Sequence, residues 1–189
     1  MGTFYQAMQL FGKKEHLKEY IESAKNGNPR AQKLIYEMLS AKMYAVCLRY
    51  MGDKEAAQDV LQDGFVTLFN KIGSYSGTGS FEGWARRLFI NTALMTLRQH
   101  DVIRDSDDIE QAYDLCDNSE NVLQRIGYEE LLKQVASLPP GFRVVFNMYV
   151  IEGYSHKEIA EQLGIGEATS RSQLQRARVM LQERLRKIR

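Results

Sequence analysis

The sequence predicts an all-α fold with two small helical domains joined by an acidic, flexible linker. Its 189 residues contain only three prolines, and the long periodic stretches are rich in Leu, Ala, Glu, Gln and Lys, residues that favour helices. The hydrophobic fraction of 44% and the charged fraction of 26% are ordinary for a globular chain. No apolar run of about 18 residues occurs, so no membrane span is expected. We expect domains over residues 1–100 and 122–189, with the linker over 101–121.

Capping and turn residues divide the first domain into helices. Asn28-Pro29 joins an N-cap residue to a proline at the first helical position. Gly52-Asp53 ends that helix and caps the next, and apolar residues recur every three or four positions on both sides of this stop. A flexible loop, Gly73–Ser80, precedes a helix that we expect to run from Phe81 to about His100.

Charge is distributed unevenly along the chain, although the formal net charge is only +1. Residues 101–120 carry eight carboxylates and one arginine, with little periodicity, which is typical of a mobile linker. Residues 171–189 carry seven basic side chains and one carboxylate. This basic end suggests contact with nucleic acid, although a solvated terminal helix has the same composition.

The segment from Ser155 to Arg178 has the pattern of a helix-turn-helix. Ser155 and Glu158 have the spacing of a capping box, and Gly164 permits the left-handed turn that ends a short helix. The second helix presents the polar and basic residues Thr169, Ser170, Arg171, Gln173, Arg176 and Arg178. Arginine and glutamine hydrogen-bond base edges, so such a helix suits the major groove of DNA. The alternative is a plain helical hairpin with a polar outer face.

Two stretches of the first domain resemble region 2 of bacterial sigma factors. One is Gly52 to Val66, Gly-Asp-Lys-Glu-Ala-Ala-Gln-Asp-Val-Leu-Gln-Asp-Gly-Phe-Val, and the other is Phe81 to Thr92, Phe-Glu-Gly-Trp-Ala-Arg-Arg-Leu-Phe-Ile-Asn-Thr. With Leu138-Pro-Pro and the helix-turn-helix, they make residues 19–189 similar to sigma factors of the extracytoplasmic-function (ECF) group. The resemblance implies a protein that binds core RNA polymerase, directs it to specific promoters and assists promoter melting. It implies a region-2-like first domain and a region-4-like second domain, which recognises the minus-thirty-five element.

In this family, the helix that follows Gly52 docks on the clamp helices of the largest polymerase subunit. The matching residues are Asp53, Asp59, Leu61, Gln62, Asp63 and Phe65. Carboxylates beside an apolar stripe suit a basic helical partner. A solvated acidic face is the alternative interpretation.

The segment from Ser80 to Arg98 resembles the part of region 2 that opens and holds the minus-ten element. The residues implied in DNA contact are Ser80, Arg86, Arg87, Asn91 and Arg98. In the family, the preceding loop and an asparagine at the position of Asn91 form a pocket for a flipped base, and the arginines face backbone phosphates. We expect Phe81 and Trp84 to be core residues.

The chain departs from the family pattern at two places. The recognition helix has Gln173 where the family often has arginine, which alters the preferred minus-thirty-five sequence. After Asn91 the common aspartate is missing, and Met95 and Thr96 stand in that neighbourhood. The details of the minus-ten contacts depend on this second departure.

The resemblance implies several partners: core RNA polymerase, through its clamp helices and flap region, promoter DNA and an anti-sigma factor. It also implies a cytoplasmic location, no small-molecule substrate and no cofactor.

An enzyme is not indicated, because the sequence has no catalytic triad, phosphate-binding loop or metal-ligand spacing. Cys47 and Cys116 are interpreted as ordinary thiols. A stand-alone helix-turn-helix regulator, binding palindromic DNA without polymerase, is the alternative function. The linker would enter the polymerase cleft as a nucleic-acid mimic or serve as a plain tether.

Overall fold

The computed structural model describes residues 16–99 and 128–187, which form helices and short connections, with no strand in these ranges. The expected linker and the ends of the chain, including Cys116 and Ile188, lie outside the described residues. Four α-helices belong to the N-terminal part: α1 (Leu17–Lys25), α2 (Pro29–Met51), α3 (Lys54–Lys71) and α4 (Phe81–Gln99). Four belong to the C-terminal part: α5 (Tyr128–Ala136), α6 (Pro140–Phe146), α7 (His156–Leu163) and α8 (Glu167–Lys187). A 3₁₀ turn, Ile72–Ser74, follows α3, and a π-helical turn, Asn147–Ile151, follows α6.

The predicted caps of the N-terminal helices are confirmed. The side chain of Asn28 accepts hydrogen bonds from the backbone N–H groups of Arg30, at 2.9 Å, and Ala31. Gly52 ends α2 in the left-handed conformation, with φ of 72°. The carboxylate of Asp53 accepts from the N–H of Ala56 at 2.9 Å and starts α3. Local sequence therefore sets the sharp reversal between α2 and α3.

The core of the N-terminal part lies between α2, α3 and α4, and it depends on a close approach of the last two helices. Gly64 of α3 faces the ring of Phe89, where a Cβ atom would collide with the ring. Phe65 packs edge-to-face on Phe89, with ring centroids 5.0 Å apart. The loop after α3 is anchored to the same core because Tyr75 is buried.

The predicted helix-turn-helix is confirmed in its turn chemistry. The N–H of Ser155 donates to the carboxylate of Glu158 at 2.8 Å, and the hydroxyl of Ser155 accepts from the N–H of Glu158 at 3.3 Å. Gly164 has φ of 68° and ends α7. Ile159 and Leu163 are buried, and so are Leu174, Ala177, Leu181 and Leu185 along α8. These apolar stripes hold the two helices together.

One buried arginine of α6 joins the C-terminal part to the end of α2. Arg143 donates from Nε to the carbonyl oxygen of Tyr50 at 2.9 Å and from Nη2 to that of Met51 at 2.8 Å. Its Nη1 donates to the carbonyl oxygens of Ala136 and Leu138 at 3.0 and 2.9 Å. The last carbonyl groups of a helix lack partners within the helix and carry partial negative charge, so a guanidinium satisfies them well. Burial lowers the pKa of Arg143 to about 10, which leaves the group charged at neutral pH.

The packing around Arg143 requires a glycine at position 52. A Cβ atom on Gly52 would lie 2.5 Å from Nη1 of Arg143 and 2.6 Å from the carbonyl oxygen of Ala136. A Cβ atom on Gly27, which has a similar φ of 77°, would meet no atom within 4 Å. Comparing alanine substitutions at the two glycines therefore separates the cost of backbone strain from the cost of disturbing Arg143.

We expect Gly52→Ala to destabilise the chain more than Gly27→Ala. Both substitutions place alanine in the left-handed region, at about 1–2 kcal/mol. Only Gly52→Ala also displaces the Arg143 hydrogen bonds, which adds roughly 1–3 kcal/mol. Urea unfolding followed by circular dichroism measures the difference. Equal losses in the two variants would contradict the arrangement of Arg143 around Gly52.

Candidate nucleic-acid interface

A groove of about 1060 Å³ runs between the N-terminal and C-terminal parts. One wall contains four of the five residues that the sequence assigned to minus-ten contacts: Ser80, Arg86, Arg87 and Asn91. The fifth, Arg98, is exposed on the last turn of α4, where its Nε donates to the carbonyl oxygen of Leu94 at 3.3 Å, and it does not line the groove. The other wall is formed by residues 151–154 and by the Glu158 and Gln162 side of α7.

The loop before α4 is more ordered than its glycine-rich sequence suggests. The hydroxyl of Tyr75 donates to the carbonyl oxygen of Gly79 at 2.8 Å, and its ring packs against Phe81 and Trp84 with centroids 5.1 and 5.4 Å apart. The hydroxyl of Ser80 accepts from the N–H of Gly83 at 3.3 Å, so Ser80 caps α4 as predicted. Phe81 is buried, as expected, whereas Trp84 is half-buried and also lines the groove.

The basic wall of the groove is partly neutralised from across the groove. The Oε1 atom of Glu152 accepts from Nη2 of Arg86 at 2.7 Å and from Nη2 of Arg49 at 3.0 Å. The hydrogen bond from Glu152 raises the pKa of Arg86 above its usual value. Arg87 and Asn91 remain exposed on the same wall. No sequence signal pointed to Glu152 or Arg49, because the pairing joins residues about a hundred positions apart.

The recognition helix α8 exposes only part of the predicted set. Arg171 and Arg178 are exposed, and Thr169 and Arg176 are half-buried. The expectation that Ser170 and Gln173 lie on the exposed face is wrong, because only 0% and 1% of their surface is exposed. Both positions follow the three- and four-residue spacing of the buried residues Leu174, Ala177 and Leu181, and therefore face inward.

A small polar cluster fixes α7 against α8. The Nδ1 atom of His156 lies 2.9 Å from the hydroxyl of Ser170, and its ring stacks on Tyr149 with centroids 4.4 Å apart. The guanidinium of Arg178 lies 6.0 Å from the Tyr149 centroid. Burial, with a smaller contribution from the nearby Arg171, lowers the pKa of His156. The contact between His156 and Ser170 joins the first turn of α7 to α8.

Four of the six residues predicted for the docking face of α3 are exposed. Asp53, Asp59, Gln62 and Asp63 are exposed, and Leu61 is half-buried. The assignment of Phe65 to this surface is wrong, since its side chain is 5% exposed and lies in the aromatic core. The ring of Tyr36 packs on Phe65, with the two ring centroids 4.5 Å apart.

Val66 is an apolar residue of this face that the sequence reasoning missed. It is 61% exposed. Because it follows Asp63 by three positions and Gln62 by four, it lies beside both on the helix surface. The spacing of three and four residues from Asp63 and Gln62 was the sequence signal that could have identified Val66. Val66 is thus the exposed apolar residue beside the predicted face, whereas Leu61 is half-buried and Phe65 is buried.

Other kinds of site find little support in the described residues. Cys47 is buried, and burial raises the pKa of its thiol to about 12, so it is unreactive. Residues 16–99 and 128–187 hold no cluster of side chains suited to a metal ion. No helix of these ranges is long and apolar enough to cross a membrane.

Comparisons with known proteins identify both parts of the chain. Residues 35–102 match the family model for sigma-70 region 2, and residues 128–181 match that for sigma-70 region 4. The ECF RNA polymerase sigma factor SigE of Mycolicibacterium smegmatis is 30% identical over 151 residues, which are 77% of this chain and 58% of that longer protein. The RNA polymerase sigma-H factor of Pseudomonas aeruginosa is 27% identical over 186 residues, covering 90% of this chain and 94% of the relative.

Among solved structures, the sigma factor RpoE of Bartonella quintana, in complex with the anti-sigma factor NepR, is similar with a TM-score of 0.48 and 20% identity. The match covers 82% of this chain and 96% of that one. The region 2 match precedes the region 4 match along the chain. The chain therefore belongs to the sigma-70 family of transcription initiation factors, within the ECF group.

Proposed function

We propose that three surfaces divide the work of this sigma factor: α3 binds core polymerase, α8 reads the minus-thirty-five element, and α4 with its preceding loop captures the opened minus-ten strand. The observation that carries the proposal is the groove wall on which Ser80, Arg86, Arg87 and Asn91 converge. The region-2-like domain is assigned to residues 1–100 and the region-4-like domain to 122–189.

The docking face on α3 combines an exposed apolar side chain with neighbouring carboxylates. Val66 supplies exposed apolar surface against which a partner helix would pack. Asp59 and Asp63, both exposed, steer a basic partner and favour one orientation of docking. This chemistry suits the clamp helices of the largest polymerase subunit.

The loop and α4 have the features that hold an unpaired base. Asn91 offers both a hydrogen-bond donor and an acceptor for a base edge, and Arg87 offers a cation for the adjacent phosphate. The half-buried Trp84 presents aromatic surface to the groove, and stacking captures bases of any sequence. Capture of flipped bases lowers the free energy of the opened strand and so assists melting.

The recognition helix supplies base contacts from two exposed arginines and one half-buried arginine. Arg171, Arg176 and Arg178 are the residues that we assign to the major groove and its phosphates, with Thr169 at the edge. Ser170 and Gln173 position the helix from inside. We further propose the polymerase flap as a contact of the C-terminal domain, an anti-sigma factor as its inhibitor, and the cytoplasm as its location.

Transcription in vitro tests this function. The purified chain is added to core polymerase of its own host on fragmented genomic DNA, and transcript starts are mapped. We expect discrete starts preceded by two spaced sequence elements, absent with core alone. Starts indistinguishable from core alone would favour a stand-alone DNA-binding regulator.

We expect Asp63→Arg to weaken binding to core polymerase roughly tenfold or more, which corresponds to about 1.4 kcal/mol. The reversed charge would face a basic partner. Glu19→Arg, which makes the same change at an exposed site on α1, serves as the control. Fluorescence anisotropy of the labelled chain against core measures both affinities. Equal dissociation constants for the two variants would place the docking face elsewhere.

We expect Arg176→Ala to weaken binding of holoenzyme to a duplex carrying the mapped upstream element about 5- to 150-fold, since a base contact contributes about 1–3 kcal/mol. Arg186→Ala removes the same charge from the exposed last turn of α8 and should cost far less. A duplex with a scrambled element provides the reference. If Arg176→Ala and Arg186→Ala reduce binding to both duplexes equally, Arg176 contacts only phosphates.

A further inference from the structure

We propose that His156 is a further residue of the duplex-binding surface: it orients α8 through Ser170, and it takes up a proton when the phosphates of the upstream element approach. This inference rests on the proposed role of α8 at the minus-thirty-five element. It makes the affinity of the C-terminal domain for duplex DNA increase as the pH falls.

His156 lies between the two other elements of the helix-turn-helix region. It is the first residue of α7, and its Nδ1 atom lies 2.9 Å from the hydroxyl of the fully buried Ser170 on α8. Its ring stacks on Tyr149 of the π-helical turn at an interplanar angle of 23°. The guanidinium of Arg178 lies 6.0 Å from the centroid of the same tyrosine ring. His156 itself is only half-buried, so part of the imidazole remains accessible.

The contact with Ser170 gives α8 a fixed reference on the neighbouring helix. Ser170 is adjacent to Arg171 and about two helical turns before Arg178. Side chains of one helix keep a constant angular relation to each other. A rotation of α8 that redirects the two arginines therefore also breaks the contact between Ser170 and His156. His156 is thus a positioning residue for the arginines that we assign to DNA.

The charged groups of α8 disfavour protonation of His156 in the free protein. Burial makes the largest contribution to lowering the pKa of His156, and Arg171 adds to it. Glu167 acts in the opposite direction, and Arg178 makes a smaller lowering contribution. Glu167 is also shared, because its carboxylate accepts from Nη1 of Arg171 at 2.6 Å. Two cations and one paired carboxylate therefore face the imidazole from this helix.

The other neighbouring groups leave the change of charge to His156. Tyr149 contributes its ring from the π-helical turn. On α7, Lys157 is exposed, and the hydrogen bonds from Ser155 lower the pKa of Glu158. Lysine, arginine, tyrosine and carboxyl side chains ordinarily titrate outside the range of about pH 6 to 8. With Nδ1 facing Ser170, Nε2 is the ring nitrogen that gains the proton.

Duplex DNA reverses this electrostatic balance. Phosphates that bind Arg171 and Arg178 bring negative charge beside His156 and favour its protonated form. The pKa of His156 is therefore higher in the complex than in the free protein. Binding is then linked to proton uptake: the affinity is constant above both pKa values, rises as the pH falls between them and levels off below the lower one.

Two substitutions at position 156 separate the two roles. His156→Asn keeps a hydrogen-bond donor close to the position of Nδ1 and removes the titration, whereas His156→Ala also removes the contact with Ser170. Fluorescence anisotropy measures the affinity of holoenzyme for a duplex that carries the mapped upstream element, at about pH 8 and about pH 6. His16→Asn, at an exposed site before α1, is the control and should keep the wild-type response.

We expect the affinity of wild-type holoenzyme to rise roughly threefold or more from the higher to the lower pH at low salt. His156→Asn should bind like the wild type at the higher pH and lack the rise. His156→Ala should bind more weakly at both pH values and also lack the rise. Equal pH responses of the wild type and His156→Asn would overturn the proposal. Equal affinities of the Asn and Ala variants at the higher pH would overturn it as well.

Two further measurements keep these outcomes distinct. Thermal unfolding followed by circular dichroism shows whether each variant is folded, and if His156→Ala is not, the pH response of His156→Asn still decides. A duplex with a scrambled element separates this inference from the proposed function, because phosphate contacts do not depend on sequence. If wild-type holoenzyme does not prefer the mapped element, the proposed role of α8 fails. The pH response on the scrambled duplex then still decides whether His156 takes up a proton.

Discussion

The structure depends on the way in which the C-terminal domain satisfies the end of α2. Arg143 fills the unpaired carbonyl groups of Tyr50 and Met51, and the absence of a side chain at Gly52 makes room for it. The same glycine turns the chain into α3, whose outer face carries the proposed polymerase contacts. A single α2–α3 reversal thus places the docking face and the domain contact on neighbouring surfaces.

Much of the fold was predictable because local chemistry determined it. Asn28, Asp53, Ser155 and Gly164 act at the positions that their residue types indicated, and the helix-turn-helix follows from them. Residue chemistry alone was less reliable for the sites. Ser170, Gln173 and Phe65 have suitable chemistry but lie on inner stripes, where neighbouring helices cover them. Glu152 was beyond sequence reasoning, because its partners Arg49 and Arg86 belong to helices far along the chain.

The central claim is that α3, α4 and α8 divide core binding, capture of the opened strand and upstream recognition between them. A photocrosslinking amino acid introduced separately at Val66, Arg87 and Arg178, in holoenzyme on a mapped promoter, measures this directly. The account predicts a crosslink from position 66 to the largest polymerase subunit, from position 87 to the minus-ten strand and from position 178 to the upstream element. The same crosslinked partner from all three positions would contradict it.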